Sequence, residues 1–203
     1  MERPDLSFEI ALWGKGLWAL AGLDEAGRGA WAGPVSAGVV ILPHDESILG
    51  RWLGVRDSKL MTPRQRSYWA ARIREEALAW GVGLADNREI DAWGIVPATR
   101  LAMARALQQL QIAPQHLLLD ALRLPEVDIP QTALIKGDRK VLSIAAASVL
   151  AKTTRDEMMC QMEAVYPGYG FARHKGYGTR QHQEALARLG LSDFHRHSFQ
   201  FSR

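Results

Sequence analysis

A layered α/β or α+β domain built on a mixed sheet is the fold class this sequence predicts. Three strand-like segments come early, and strands and helices alternate after them. The 203 residues, 47% hydrophobic and 23% charged, suit one globular domain with a sizeable core. Residues 17–23 read as the first apolar strand and residues 34–42 as the second. Residues 26–30 between them are all glycine, alanine or arginine, so the two strands are expected to pair antiparallel across a glycine-rich turn.

A helix is expected over 62–80, with Thr62 as N-cap, Pro63 at the first helical position and Gly81 as the stop. Residues 82–86 follow as a third strand. Residues 96–110 are rich in Ala, Leu, Met and Gln with apolar spacings of three and four, a helical pattern. Residues 116–119 form a short apolar strand ending at Asp120, and 132–135 another just before Gly137 and Asp138. Residues 144–165 have high helix propensity throughout, and 179–189 form a last helix stopped by Gly190. No repeat, low-complexity tract or long linker interrupts the chain. One domain over 1–203 is expected, with an N-terminal extension over about 1–16 and a helical C-terminal segment over about 167–203.

Composition narrows the function classes. The net charge is +3, from 25 basic and 22 acidic residues, and the isoelectric point is near 9.2, a weak hint of a polyanionic partner. A single cysteine, Cys160, leaves no internal disulfide and no cysteine-cluster zinc site. No apolar run reaches the roughly 18 residues of a membrane span, and the first residues lack the pattern of a signal peptide. A cytoplasmic protein is therefore expected, and a monomer is the default expectation.

Four carboxylates stand out by position. Asp24 and Glu25 end the first strand, Asp120 ends a later one, and Asp138 follows another. Acids just past apolar strands sit at a sheet rim, where strand ends can gather residues distant in sequence. Clustered carboxylates repel unless cations bind them, and hard divalent ions favour such an all-oxygen set. Two such ions about 4 Å apart can activate a water and stabilise a leaving oxygen in phosphodiester hydrolysis. On pattern alone the acids are either such a site or, the commoner case, solvated loop residues.

Local strings decide between these. Asp24-Glu25-Ala26-Gly27-Arg28-Gly29 followed by Gly33-Pro34-Val35 resembles the opening signature of the type 2 ribonucleases H, the ribonuclease HII family. Further blocks that resemble the family follow in order. They are Asp57-Ser58-Lys59, Leu118-Leu119-Asp120, Lys136-Gly137-Asp138 with the long segment from Ser143 to Lys152, Tyr169-Gly170-Phe171, His174 to Thr179, and His195 to Phe199. The resemblance runs from about residue 21 to residue 199. It implies an RNase H-like fold, a central mixed sheet flanked by helices with a small helical C-terminal part. It implies a metal-dependent endonuclease that hydrolyses the RNA strand of RNA/DNA hybrids. The same enzyme would incise 5′ of single ribonucleotides embedded in duplex DNA, leaving 3′-hydroxyl and 5′-phosphate ends. By the same resemblance Asp24, Glu25, Asp120 and Asp138 are the catalytic and metal-binding acids, with two Mg²⁺ or Mn²⁺ ions. Gly27, Arg28, Gly29, Lys59, Ser148, Lys152, Lys175 and Tyr177 would meet the substrate.

Within that set the glycine–arginine–glycine loop would read the 2′-hydroxyl, and Tyr177 would pack on the neighbouring deoxyribose. Glycines let a backbone approach a ligand closely, and a 2′-hydroxyl both donates and accepts hydrogen bonds. Arg28, Lys59, Lys152 and Lys175 would contact phosphates, adding affinity without reading sequence. Type 3 relatives carry an added N-terminal domain, so the roughly twenty residues before Asp24 favour type 2. Two positions depart from the family pattern. Ala121 stands where glycine is usual, which suggests a slightly altered turn, and Leu60 stands where a second lysine is usual, which removes one phosphate contact. The His195-Arg196-His197 string is expected to face phosphate or to pack, Cys160 to pack, and the tryptophans to lie mostly in the core or on helix faces. The rival readings are a duplex-binding protein without activity and a DNA-specific nuclease.

Overall fold

In the computed structural model, which describes residues 3–200, strands β1 (Leu20–Ala26) and β2 (Val35–Ile41) pair antiparallel with Asp24 opposite Gly38. Strand β3 (Ala79–Ala85) adds antiparallel to β2. On the other side β4 (His116–Asp120) lies parallel to β1, and β5 (Gln131–Leu134) parallel to β4. The result is the expected mixed sheet, in the order β3-β2-β1-β4-β5.

Helices α1 (Ser7–Trp13), α2 (Ile48–Arg51), α3 (Pro63–Glu76), α4 (Asn87–Trp93), α5 (Ile95–Gln108), α6 (Leu142–Val165), α7 (Phe171–His174) and α8 (Arg180–Leu189) complete the described chain. Side chains alternate across the sheet, as the period of two requires. Ala21 and Leu23 of β1, with Leu117 and Leu119 of β4, pack with Ala98, Ala102 and Met103 of α5. Leu20 and Val40 meet the other layer, where Ala145, Ala146, Val149 and Leu150 of α6 join Ala70 and Ile73 of α3. Asp24 shares the face of Leu20 and Gly22, so it points toward α6.

Helix α6 can lie that close because Gly22 and Gly38 have no side chain. A Cβ at Gly22 would collide with the Ser143 backbone, and one at Gly38 with the Ala147 carbonyl. Helix α6 is buried all round from Leu142 to Ala151, so it is central to the fold rather than amphipathic.

Several boundaries moved. Helix α3 begins at a Thr62–Gln65 capping box, as expected, but ends at Glu76. Residues 79–81 pair with β2 instead of extending the helix, and Trp80 belongs to β3. Ladder hydrogen bonds to β2 outweigh local helix propensity here, although β3 is a half-buried edge strand. Strand β1 runs on to Ala26, so Asp24 and Glu25 lie within it, not past its end. Within the N-terminal extension α1 is ordered against the core, and its buried Glu9 accepts the Ser143 N–H at the start of α6. Beyond Gly190 the C-terminal segment is not helical: it folds back, bridging His195 to Ala32. Residues 201–203 of the tail lie outside the described residues, as do residues 1–2 of the extension. Two smaller readings are corrected. Cys160 is exposed, on the outer side of α6, with Lys175 Nζ 3.2 Å from its sulfur. Trp18 is also exposed, because it precedes β1 and packs edge-on against the His44 ring.

Candidate active site and duplex-facing cleft

The parallel register places Leu23 of β1 beside Leu119 of β4, so Asp24 and Asp120 leave the two central strands at the same rim. Asp138 arrives from the 3-10 turn Gly137–Arg139, just ahead of α6. One carboxylate oxygen from each of Asp24, Asp120 and Asp138 lies within 4.8 Å of the others. Local bonds orient them: Asp24 Oδ1 accepts the Glu25 N–H at 2.7 Å, and Asp120 Oδ1 accepts the Gly137 N–H at 2.8 Å. The second bond ties the end of β4 to the segment bearing Asp138.

The electrostatics show the cost of this clustering. Burial first, then the charges of Glu25 and Asp120, hold the Asp24 carboxyl well above the usual range. Asp138 is pushed up to about 6, by burial and then by Asp57 and Asp120. Glu25 is raised mainly by burial, against the opposing hydrogen bond from Arg28. One Glu25 oxygen accepts from Arg28 Nη1 at 3.1 Å, and the other is buried with no hydrogen-bond partner. Such a set of crowded, desolvated oxygens with an unmatched lone pair fits a hard divalent cation.

A cleft of about 620 Å³ opens beside the acids, lined by Glu25, Gly27, Arg28, Gly29, Lys59, Arg66, Lys152 and Tyr177 among others. The sequence-predicted residues thus converge, with three differences of placement. Lys59 is half-buried; desolvation alone would lower its pKa, but Asp24, Asp57, Asp138 and Glu25 outweigh it and the pKa is raised. Ser148 is buried beneath the cleft: it donates to Ala145 O at 2.8 Å and accepts the Ser58 N–H at 3.3 Å, bracing the Asp57–Lys59 segment. The Lys175 ammonium turns to Ala172 O and Cys160, away from the cleft lining. Lys152 lies 5.2 Å from the Tyr177 ring centre and pairs with Asp156 at 2.7 Å, and Asp156 also receives Arg66.

Sequence reasoning gave Asp57 and Arg196 no supporting role, although both lie in family-like strings, and it passed over Arg155. Asp57, nearly fully buried, pairs with Arg139 at 3.2 Å and accepts the Lys59 N–H. Arg155 and Arg196 are both completely buried against the backbone of residues 27–34. The Arg196 neighbour His195 packs rather than facing phosphate. His195, His182 and His174 form a buried group in which His182 Nε2 and His195 Nε2 are 3.0 Å apart and the His174 and His182 rings stack at 4.3 Å. The other His182 nitrogen lies 3.1 Å from Tyr177 O, which fixes it as a donor to that carbonyl. Burial pushes His182 and His195 down to about 4, so both are neutral at pH 7.

The chain is similar to known proteins along almost its whole length. A family model described as Ribonuclease HII matches residues 21–202. A Ribonuclease HII from Dehalococcoides mccartyi is 49% identical over 197 residues, covering 97% of this chain and 92% of that protein. One from Thermus thermophilus is 51% identical over 191 residues, covering 94% and 90%. The crystal structure of the ribonuclease H2 from Pyrococcus horikoshii superposes with a TM-score of 0.74 at 27% identity, covering 90% of this chain and 94% of that one.

Proposed function

Because the chain belongs to the ribonuclease HII family, whose members hydrolyse the RNA strand of RNA/DNA hybrids, we propose that it also incises duplex DNA 5′ of a single embedded ribonucleotide. The products are a 3′-hydroxyl and a 5′-phosphate. The observation that carries the reading is the convergence of two features on one cleft. A cluster of three carboxylates lies at the rim of the central strands, and a glycine–arginine–glycine loop faced by Tyr177 lies beside it.

Asp24, Asp120 and Asp138, with Glu25 alongside, would hold two Mg²⁺ or Mn²⁺ ions. Divalent ions held there would supply activation of a water and stabilisation of the departing oxygen of a phosphodiester. The protein supplies position. The Asp120–Gly137 bond keeps two of the acids in fixed relation. Gly27 and Gly29 let the loop backbone reach the ribose, where a 2′-hydroxyl can be recognised by its paired donor and acceptor character. Tyr177, which lines the cleft, offers a ring face to the next sugar. Lys59 and Lys152 carry positive charge to the phosphates. Lys175 contributes through its backbone carbonyl, which accepts from Arg155 at 2.9 Å. The chain acts as one catalytic domain, as a monomer, in the cytoplasm.

The test replaces Asp24 or Asp138 by Asn. Cleavage of an RNA/DNA hybrid is expected to fall at least about a thousandfold while duplex binding persists. Removing a carboxylate whose folded-state pKa is raised also removes charge repulsion at neutral pH, so in EDTA both variants are expected to unfold at a higher temperature than the parent. Retained cleavage, or a lower unfolding temperature in EDTA, contradicts the assignment.

A further inference from the structure

Gly27–Gly29 and Tyr177 reach the cleft from loops, and loops on a surface do not hold a geometry by themselves. Two guanidinium groups stand behind them. Arg196 donates from Nε to Gly33 O at 2.9 Å, from Nη1 to Arg28 O at 2.8 Å and from Nη2 to Gly27 O at 2.7 Å. Arg155 donates from Nε to Pro34 O at 2.8 Å, from Nη2 to Ala32 O at 3.1 Å and from Nη1 to Lys175 O at 2.9 Å. Both side chains are fully buried, and neither has a carboxylate partner among the described residues. Buried charge without an ion pair is expensive, so this arrangement is not explained by stability alone.

The two arginines differ in what they join. The Arg196 guanidinium gives its hydrogen bonds to the loop that carries Gly27 and Arg28, and its carbon lies 5.1 Å from the Phe199 ring centre. Arg155 binds the end of that loop and also the segment before Tyr177, and its guanidinium carbon lies 5.4 Å from the Tyr177 ring centre. The loop rests directly on Arg155: a Cβ at Gly27 would collide with its Nε. The Trp31 N–H closes the same unit by donating to Gly176 O at 2.7 Å.

We propose that Arg155 and Arg196 are positioning residues that set substrate specificity, with Arg196 shaping the 2′-hydroxyl loop and Arg155 fixing the distance between that loop and Tyr177. The proposal rests on the reading of the loop and Tyr177 given above. A lysine keeps the charge but offers one nitrogen, which cannot span three carbonyls. A displacement near 1 Å at such a site costs on the order of a hundredfold in rate.

The experiment measures kcat and KM on two substrates: a DNA duplex with one ribonucleotide, where a deoxyribose follows the ribose, and a continuous RNA/DNA hybrid, where a ribose follows. Arg196→Lys is expected to lower kcat on both by about a hundredfold with little change in KM. Arg155→Lys is expected to lower the single-ribonucleotide rate at least about tenfold more than the hybrid rate. Tyr177→Ala, run in parallel, should shift the same ratio in the same direction. If Tyr177→Ala leaves the ratio unchanged, the reading of Tyr177 fails. If Tyr177→Ala shifts it and a folded Arg155→Lys does not, the proposal about Arg155 fails. Should a lysine variant not fold, amide exchange in the parent protein decides: Ala30, Trp31, Gly33 and Gly176 are expected to exchange together with similarly slow rates. Fast, independent exchange of the Gly27–Gly33 segment overturns the proposal.

Discussion

Ala121 carries φ of +58°, in the left-handed region that glycine enters freely and alanine does not. It directly follows Asp120, and its N–H donates to Leu134 O at 3.0 Å, so the turn is held against its own preference. An altered turn was expected; instead Ala121 takes a strained, glycine-like conformation, and the carboxylate before it stays in the cluster. Ala121→Gly is expected to stabilise the protein by about 1 kcal/mol while leaving hybrid cleavage within about twofold. Chemical denaturation gives the first number, and a loss of stability in Ala121→Gly would show that the strain is not borne there. The acids were legible because each follows an apolar run and lies in a recognisable string; that β1 continues past Asp24 and Glu25 to Ala26 was not. Arg155 was not legible, and Arg196 was legible only as part of the His195–Phe199 string, not as the support of a loop. Arginine is a surface residue by default, and no local pattern reports that a distant loop has carbonyls in need of donors.

At the scale of elements, the Thr62–Pro63 start of α3, the Gly190 stop of α8 and the helix over 96–110 followed from propensity and capping. The boundary between α3 and β3 did not, because pairing with β2 is a long-range contact that no window of sequence contains. Helix α6 was read from propensity, but its depth against the sheet depends on Gly22 of β1 and Gly38 of β2, both over a hundred residues earlier in the chain. Gly38→Ala is expected to cost at least about 1–3 kcal/mol, since the new methyl meets the Ala147 carbonyl on a rigid helix. An unfolding midpoint unchanged by Gly38→Ala would contradict that packing. The α7–α8 region adds a pH dependence. His182 and His195 have folded pKa values of about 4, below the ordinary 6.5, so between those values the unfolded chain binds protons that the folded one does not. The stability they contribute is complete above pH 6.5 and is lost as pH falls toward 4. Imidazole resonances of both are expected to titrate near 4; midpoints near 6.5 would mean that the group is open to solvent.

For the whole molecule, a sheet order that puts β1 and β4 side by side is what turns acids nearly a hundred residues apart into one site. Parallel register brings Asp24 level with Asp120, and the turn before α6 delivers Asp138. The Gly27–Gly29 loop, proposed above to read the 2′-hydroxyl, follows β1 directly, so the proposed reader and the carboxylate cluster share one strand. That coupling is the central claim, and one measurement addresses it: cleavage of a DNA duplex carrying one ribonucleotide, beside an all-DNA duplex, with Mg²⁺, Mn²⁺ or EDTA. The expected result is a single nick 5′ of the ribonucleotide with either metal, none in the all-DNA duplex, and none in EDTA. Equal cutting of both duplexes would contradict the loop's role, and cutting in EDTA would contradict the carboxylate site.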